Sequence, residues 1–266
     1  MIQHFTKINS SNIASFIQKG EGTPIVLLHG FCEDSSVWND FLLGFSKEYI
    51  ICIDLPGFGK SDSQKQCSIS KMASITNAVL EDLKIKKCVL IGHSMGGYVT
   101  LEFAKSFSEK ILGLGLFHSQ PFADSADKKI NRQKSIEFVR KNGSIYFVKQ
   151  LIPKLFAKKF GGNYSLTISK LTLIASKYSN EGIINALEAM IQRSDNQDVL
   201  KNIELPVLFI VGSEDIAIPT ENSFNQLSLP SISTIHVLNG VGHMGMFEAE
   251  KECTSILKNF ISFVTR

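Results

Sequence analysis

Several features that mark large protein classes are missing from this sequence. Cysteine is scarce: Cys32, Cys52, Cys67, Cys88 and Cys253 are five in 266 residues, odd in number, scattered, and without a C-x-x-C pair. That argues against a disulfide framework or a zinc site and fits a reducing compartment. No apolar run approaches the roughly 20 residues that a membrane-spanning helix needs. The first residues, Met1-Ile2-Gln3-His4, carry no apolar signal stretch and no small-residue cleavage site, so the expected location is the cytoplasm. Charge of one sign is lacking too, with 28 basic against 25 acidic side chains and a net +3. The nearest approach to a basic cluster is Lys128-Lys129 with Arg132 and Lys134; polar residues interrupt it, and it reads as a solvated helix face. Nothing here argues for nucleic acid or an anionic membrane as partner.

What remains is ordinary for a soluble globular chain: 44% hydrophobic and 20% charged, with no internal repeat. The length suits one large domain, or a core with one insertion, and suffices to bury a core without covalent staples.

Short apolar runs bounded by turn residues recur along the chain. They are Ile25 to Leu28, Tyr49 to Asp54, Cys88 to Ile91, Ile111 to Phe117 and Pro206 to Val211, with a strand-like Thr234 to Leu238 near the end. Continuous apolarity at this length predicts strands buried on both faces, Cys52 and Cys88 among them as buried thiols. Helical spacing separates the runs: Ser36 to Phe45, Ser70 to Leu83, Met95 to Phe107 and Glu250 to Val264. The alternation predicts an α/β fold, a mostly parallel doubly wound sheet of about eight strands. Phe5 to Ile8 and Ile13 to Ile17, split by Asn9-Ser10-Ser11-Asn12, predict an antiparallel hairpin at its edge. From about Gln120 to Asn202 the alternation stops and the pattern is helical, with aromatics such as Phe138, Tyr146, Phe147 and Phe156. The expected organisation is therefore a core in two parts, 1–119 and 203–266, interrupted by a helical lid over 120–202.

The strongest chemical signal is Gly92-His93-Ser94-Met95-Gly96-Gly97, between a buried strand and a helix. A nucleophile on such a turn needs strained backbone angles, and the residues two before and two after it must be small. The helix N-terminus beyond Ser94 adds a positive dipole end, and the Met95 amide points where an oxyanion would form. A serine hydroxyl needs a base. His243, in Gly240-Val241-Gly242-His243-Met244-Gly245, follows a strand and precedes the last helix, which delivers an imidazole to the C-terminal edge of the sheet. His93 points elsewhere from the elbow, and His4 and His236 lie in edge-strand patterns. The base needs an acid to fix its tautomer. Asp215, in Gly212-Ser213-Glu214-Asp215, is favoured by chain order, with Glu214 beside it and Asp124 beyond the fourth strand as rivals.

His29-Gly30-Phe31, Asp54-Leu55-Pro56-Gly57-Phe58-Gly59-Lys60-Ser61, Gly92 to Gly97, Gly212 to Pro219 and Gly240 to His243 together resemble the α/β-hydrolase superfamily, its serine esterase-like branch with a helical lid. The resemblance implies that Phe31 donates a second oxyanion amide beside Met95. Its side chain would also line the pocket. His29 is expected to prop that loop by hydrogen bonding, and Asp54 to Ser61 to be loop structure. Phe31, His118 and Met244 are the candidate substrate-binding residues, and Cys32 is a thiol beside the site.

The reading that follows is a serine hydrolase, a carboxylesterase that cleaves a small or medium hydrophobic ester through an acyl-serine. Ser94, His243 and Asp215 form its triad. It needs no metal or organic cofactor. The partner is a small-molecule ester substrate, and the chain is a monomer or a homodimer. Serine at the elbow disfavours the epoxide-hydrolase and haloalkane-dehalogenase branches, which use Asp there. Alternatives on the same scaffold are a proline-type aminopeptidase, a carbon–carbon bond hydrolase, a thioesterase or perhydrolase, and a small-molecule receptor.

Overall fold

The apolar runs assemble into one eight-stranded sheet in the computed structural model, which describes residues 2–9, 13–160 and 165–266. Its strands are β1 (Ile2–Lys7), β2 (Ile13–Lys19), β3 (Glu21–Leu28), β4 (Glu48–Ile53), β5 (Cys88–His93), β6 (Ile111–Phe117), β7 (Val207–Gly212) and β8 (Ser233–Leu238). They lie in the order β1-β2-β4-β3-β5-β6-β7-β8. β1 and β2 form the expected antiparallel hairpin, which docks antiparallel on β4. Every other pairing is parallel. Most of the expected hairpin turn, residues 10–12, lies outside the described residues.

Burial follows topology. The interior strands β5 and β7 are buried at every position, because helices cover both faces of a parallel sheet. The edge strand β8 instead alternates exposed and half-buried residues until Leu238. His4 and His236 sit on the two edge strands, as their patterns suggested.

The helices around the sheet are α1 (Ile69–Asp82), α2 (Met95–Ser106), α3 (Ala126–Asn142), α4 (Ser144–Leu151), α5 (Ser165–Ala175), α6 (Asn180–Gln192), α7 (Gln197–Asn202), α8 (Thr220–Gln226), α9 (Gly245–Glu248) and α10 (Glu250–Val264). α10 matches its apolar stripe end to end, burying Ile256, Leu257, Phe260 and Ile261. α8 and α9 are too short to announce themselves by periodicity. The Ser36 to Phe45 pattern is not one α-helix: it forms two 3₁₀ turns, Ser35–Trp38 and Phe41–Gly44. The apolar side chains Val37, Trp38, Phe41 and Leu42 reach the core from either geometry, so spacing did not discriminate. Between β6 and β7 the described residues contain helices and no strand. No helix among them is long and apolar enough to cross a membrane.

The chain leaves β3 toward β4 on one side and returns to β5 on the other, so strand order reverses at β3 and β5. Leu28 pairs with Gly92 across that point, which places the loops after the two strands side by side. In open α/β sheets this is where ligands bind, beyond the carboxyl ends of the strands.

Candidate active site

Ser94 joins β5 to α2 with φ 50° and ψ −114°, a conformation that residues bearing a Cβ rarely adopt. The reason for the flanking glycines is measurable. A Cβ on Gly92 would stand 2.2 Å from the Gly96 carbonyl oxygen, and one on Gly96 would stand 2.5 Å from the Leu28 carbonyl oxygen. The strained residue is tied on both sides. Its amide donates to the Phe117 carbonyl at 3.0 Å, and its own carbonyl accepts from the Gly97 amide at 2.9 Å and from Ser119 Oγ at 2.7 Å.

His243 and Asp215 meet as hydrogen-bond partners, Nδ1 to Oδ2, at 2.7 Å. The other carboxylate oxygen of Asp215 accepts from the amides of Ala217 at 2.8 Å and Ile218 at 2.9 Å, which fixes the carboxyl plane. Burial alone would raise the Asp215 carboxyl. The facing His243 ring outweighs it and holds the group well below the usual carboxylate range. An ionised Asp215 makes Nδ1 the protonated nitrogen of His243 and leaves Nε2 free to accept a proton. The rival acids are elsewhere. Asp124 binds Arg132 at 2.5 Å and Arg193 at 2.9 Å, and Glu214 is exposed.

Ser94, His243 and Phe31 line a single cavity of about 550 Å³ beneath the helices between β6 and β7. No hydrogen bond from the Phe31 amide is found among the described residues. The Met95 amide is the first of α2, one of those that a helix leaves without an internal partner. His29 props the Phe31 loop as expected. Its Nε2 accepts from the Leu55 amide at 2.8 Å, so its Nδ1 carries the proton and donates to the Gly30 carbonyl at 2.7 Å.

Two expected substrate-binding residues do not reach the cavity. His118 is 1% exposed and Met244 is 0% exposed, and neither lines it. Met95 is likewise buried beneath the elbow. His118 takes φ 49° at the end of β6 and turns behind Asp215, where its Nδ1 accepts from the Gly212 amide at 3.1 Å. With that lone pair engaged, its 3.5 Å approach to Asp215 is not a hydrogen bond. Burial drives the ring down to about 4, so it is neutral at physiological pH. The end-of-strand position that suggested a pocket residue instead supplies packing for Asp215. Cys32, with φ 61°, is also buried, and burial pushes its thiol well up, so it is no reactive thiolate.

Two carboxylates of the site had no signal in the sequence. Glu33 Oε2 lies 3.0 Å from His93 Nδ1 and accepts from the Gly30 amide at 2.7 Å. Glu248, on α9, accepts from the amides of Ala157 at 2.9 Å, Gly242 at 3.1 Å and Met244 at 3.1 Å. Burial pushes the Glu248 carboxyl up although three amides bind it. Neither stands in a recognisable motif, and the partners that set each apart, His93 and Ala157, are brought to it only by the tertiary fold. Among the described residues, no cluster of three or more His, Cys, Asp or Glu side chains is placed to hold a metal ion.

Residues 23–250 match the family described as alpha/beta hydrolase fold. The chain is 27% identical over 202 residues to a pimeloyl-[acyl-carrier protein] methyl ester esterase of Wigglesworthia glossinidia brevipalpis, covering 74% of this chain and 76% of that protein. It is 29% identical over 252 residues to a dihydrolipoyllysine-residue acetyltransferase component of the acetoin cleaving system of Pseudomonas putida. That match covers 90% of this chain and 64% of the relative's length. Among solved structures, a thermophilic esterase from Thermogutta terrifontis, with malate bound, superposes with a TM-score of 0.93 at 27% identity, over 99% of both chains.

Proposed function

This chain belongs to the alpha/beta-hydrolase fold family, and on that premise we propose that it hydrolyses small or medium hydrophobic carboxylic esters through an acyl-serine intermediate. The observation that carries the reading is the 2.7 Å His243–Asp215 hydrogen bond at the wall of a cavity that Ser94 also lines.

In this reading Ser94 Oγ attacks the ester carbonyl carbon as His243 Nε2 takes its proton. The tetrahedral oxyanion is held by the amides of Phe31 and Met95, each such donor being worth about 10²–10³ in rate. The carbon–oxygen bond to the alcohol breaks, and His243 returns the proton to the departing oxygen. Water then repeats the attack, His243 again accepting a proton, and the acid leaves as Ser94 Oγ is reprotonated. Asp215 holds the imidazole in the tautomer this requires and balances the imidazolium. The helical segment 120–202 acts as a lid, and Phe138, Phe147, Leu151 and Leu155 from it line the cavity with Phe31. An apolar wall of this kind suits a hydrophobic acyl group.

Turnover of a panel of 4-nitrophenyl acyl esters tests the proposal. Release of nitrophenol is expected from the wild type and is lost in Ser94→Ala. Absence of turnover on every ester, or full turnover by Ser94→Ala, overturns it.

A further inference from the structure

The basic stretch that reads in the sequence as a solvated helix face has a different position in the fold. α3 turns Lys128, Arg132 and Lys134 onto the wall of the candidate active-site cavity, and Lys154 joins them from the 3₁₀ turn Ile152–Leu155. Lys134 and Lys154 are exposed at the cavity's edge, whereas Lys128 and Arg132 are half-buried. Much of the rest of the lining is apolar, with Phe31, Phe147, Leu187 and Met190.

The charges on this wall are not balanced. The lining contains four cationic side chains and one carboxylate, Glu33, and that carboxylate is engaged with His93. Arg132 is engaged with Asp124, and Lys128 Nζ donates to the Ala217 carbonyl at 3.1 Å. Among the described residues, no carboxylate lies in ion-pair distance of Lys128, Lys134 or Lys154. The chain as a whole is nearly neutral at +3, so these cations are not part of a general positive charge of the chain.

We propose that the cavity selects esters that carry a carboxylate at the end remote from the scissile carbonyl. The apolar wall would hold the chain between, and the lysines at the edge would meet the carboxylate. A cluster of like charges beside a low-dielectric wall concentrates ions of opposite sign and strengthens each contact they make. Lysine and carboxylate then form charge-assisted hydrogen bonds, stronger than neutral ones. A cavity of about 550 Å³ fits a small molecule of this kind. The same field repels a substrate amine, which counts against an aminopeptidase. The inference rests on the hydrolase reading but is separable from it.

The experiment compares three 4-nitrophenyl esters of equal acyl length that end in a carboxylate, a methyl group or a trimethylammonium group. At low ionic strength the carboxylate ester is expected to exceed the neutral one in kcat/KM by about tenfold or more, with the cationic ester slowest. Added salt should narrow the gap. In Lys134→Glu/Lys154→Glu the order of carboxylate and trimethylammonium esters should reverse. The matching amides, titrated calorimetrically, read the same preference as an affinity ratio even if no ester is cleaved. Failure of all turnover therefore strikes the hydrolase reading alone. Equal handling of carboxylate and neutral ligands by the wild type, or a preference that the double variant leaves untouched, overturns the inference.

Discussion

The Glu33 carboxylate lies 3.0 Å from Nδ1 of the fully buried His93, and His93 Nε2 lies 2.9 Å from the carbonyl oxygen of His243. Both nitrogens of this ring face groups that can only accept, so both carry protons and the ring is an imidazolium. The shifts agree. Burial would lower His93 and raise Glu33, but their mutual attraction and hydrogen bonding reverse both directions. Through the Gly30 amide on Glu33, one buried ion pair thus ties together the Phe31 loop, the elbow and the loop of the candidate base.

Breaking that pair should therefore cost stability in a pH-dependent way. Glu33→Gln leaves His93 without its counter-charge, and removing one partner of a buried pair costs about 3–5 kcal/mol. Glu33 is depressed below 4.5, so its contribution is complete above that value and is lost as pH falls through the folded-state value. His93 is raised above 6.5, so its contribution is complete below that value and is lost as pH rises through the folded-state value. The wild-type advantage should thus be largest between about 4.5 and 6.5 and shrink on both sides. Urea unfolding of both proteins across pH measures it; a gap independent of pH would refute the ion-pair account.

The acid is tested by two substitutions that differ only in address. Asp215→Asn keeps shape but offers His243 Nδ1 an amide, favouring the wrong tautomer, which should lower kcat by about 10⁴. Asp124→Asn weakens the contacts to Arg132 and Arg193 instead. That variant should unfold more easily while retaining most of its kcat. A reversal of the two phenotypes would move the acid to β6.

How far the sequence reveals this site depends on whether a residue acts through its neighbours in the chain or through distant ones. Ser94 is legible because its demands are local: the strand, the turn and two glycines lie within six residues. Asp215 and His243 are legible by order, since β7 and β8 end just before them. The sheet is legible because buried parallel strands must be continuously apolar. His118 misleads because a strand end points to the pocket or behind it according to backbone angles that no pattern encodes, here φ 49°. Glu33 and Glu248 are silent because their partners lie up to 60 and 91 residues away. The lysines of α3 look solvated because a helix that packs only Ile136 and Val139 has no apolar stripe to tell which side faces the cavity.

Strain at the elbow gives a prediction of opposite sign for stability and activity. At φ 50° a serine is held in a backbone region that costs of order 1–3 kcal/mol for residues other than glycine. Ser94→Ala keeps that strain, whereas Ser94→Gly relieves it and gives back some of the gain through a freer unfolded chain. Both variants should lack turnover, yet the glycine variant should be the more stable of the two by about 1 kcal/mol. Thermal unfolding of the pair decides it, and equal midpoints would mean that the elbow stores no strain.

Glu248 links the helical segment to the loop of His243, the candidate base, and its two carboxylate oxygens divide the work. Oε1 accepts from Gly242 and Met244, on either side of His243, while Oε2 accepts from Ala157. Ala157 follows Leu155, whose side chain lines the cavity and whose carbonyl accepts from the His243 amide at 2.7 Å. Glu248→Gln can keep the oxygen facing Gly242 and Met244 but turns an NH₂ group against the Ala157 amide. The expected result is a stability loss of about 1–3 kcal/mol for the orphaned donor. KM should rise several-fold through the displaced Leu155 while kcat changes little. Glu248→Ala removes all three acceptor contacts and frees the His243 loop, so kcat should fall as well. If the glutamine variant loses as much kcat as the alanine variant with KM unmoved, the division between the two oxygens is wrong and the carboxylate serves the base alone.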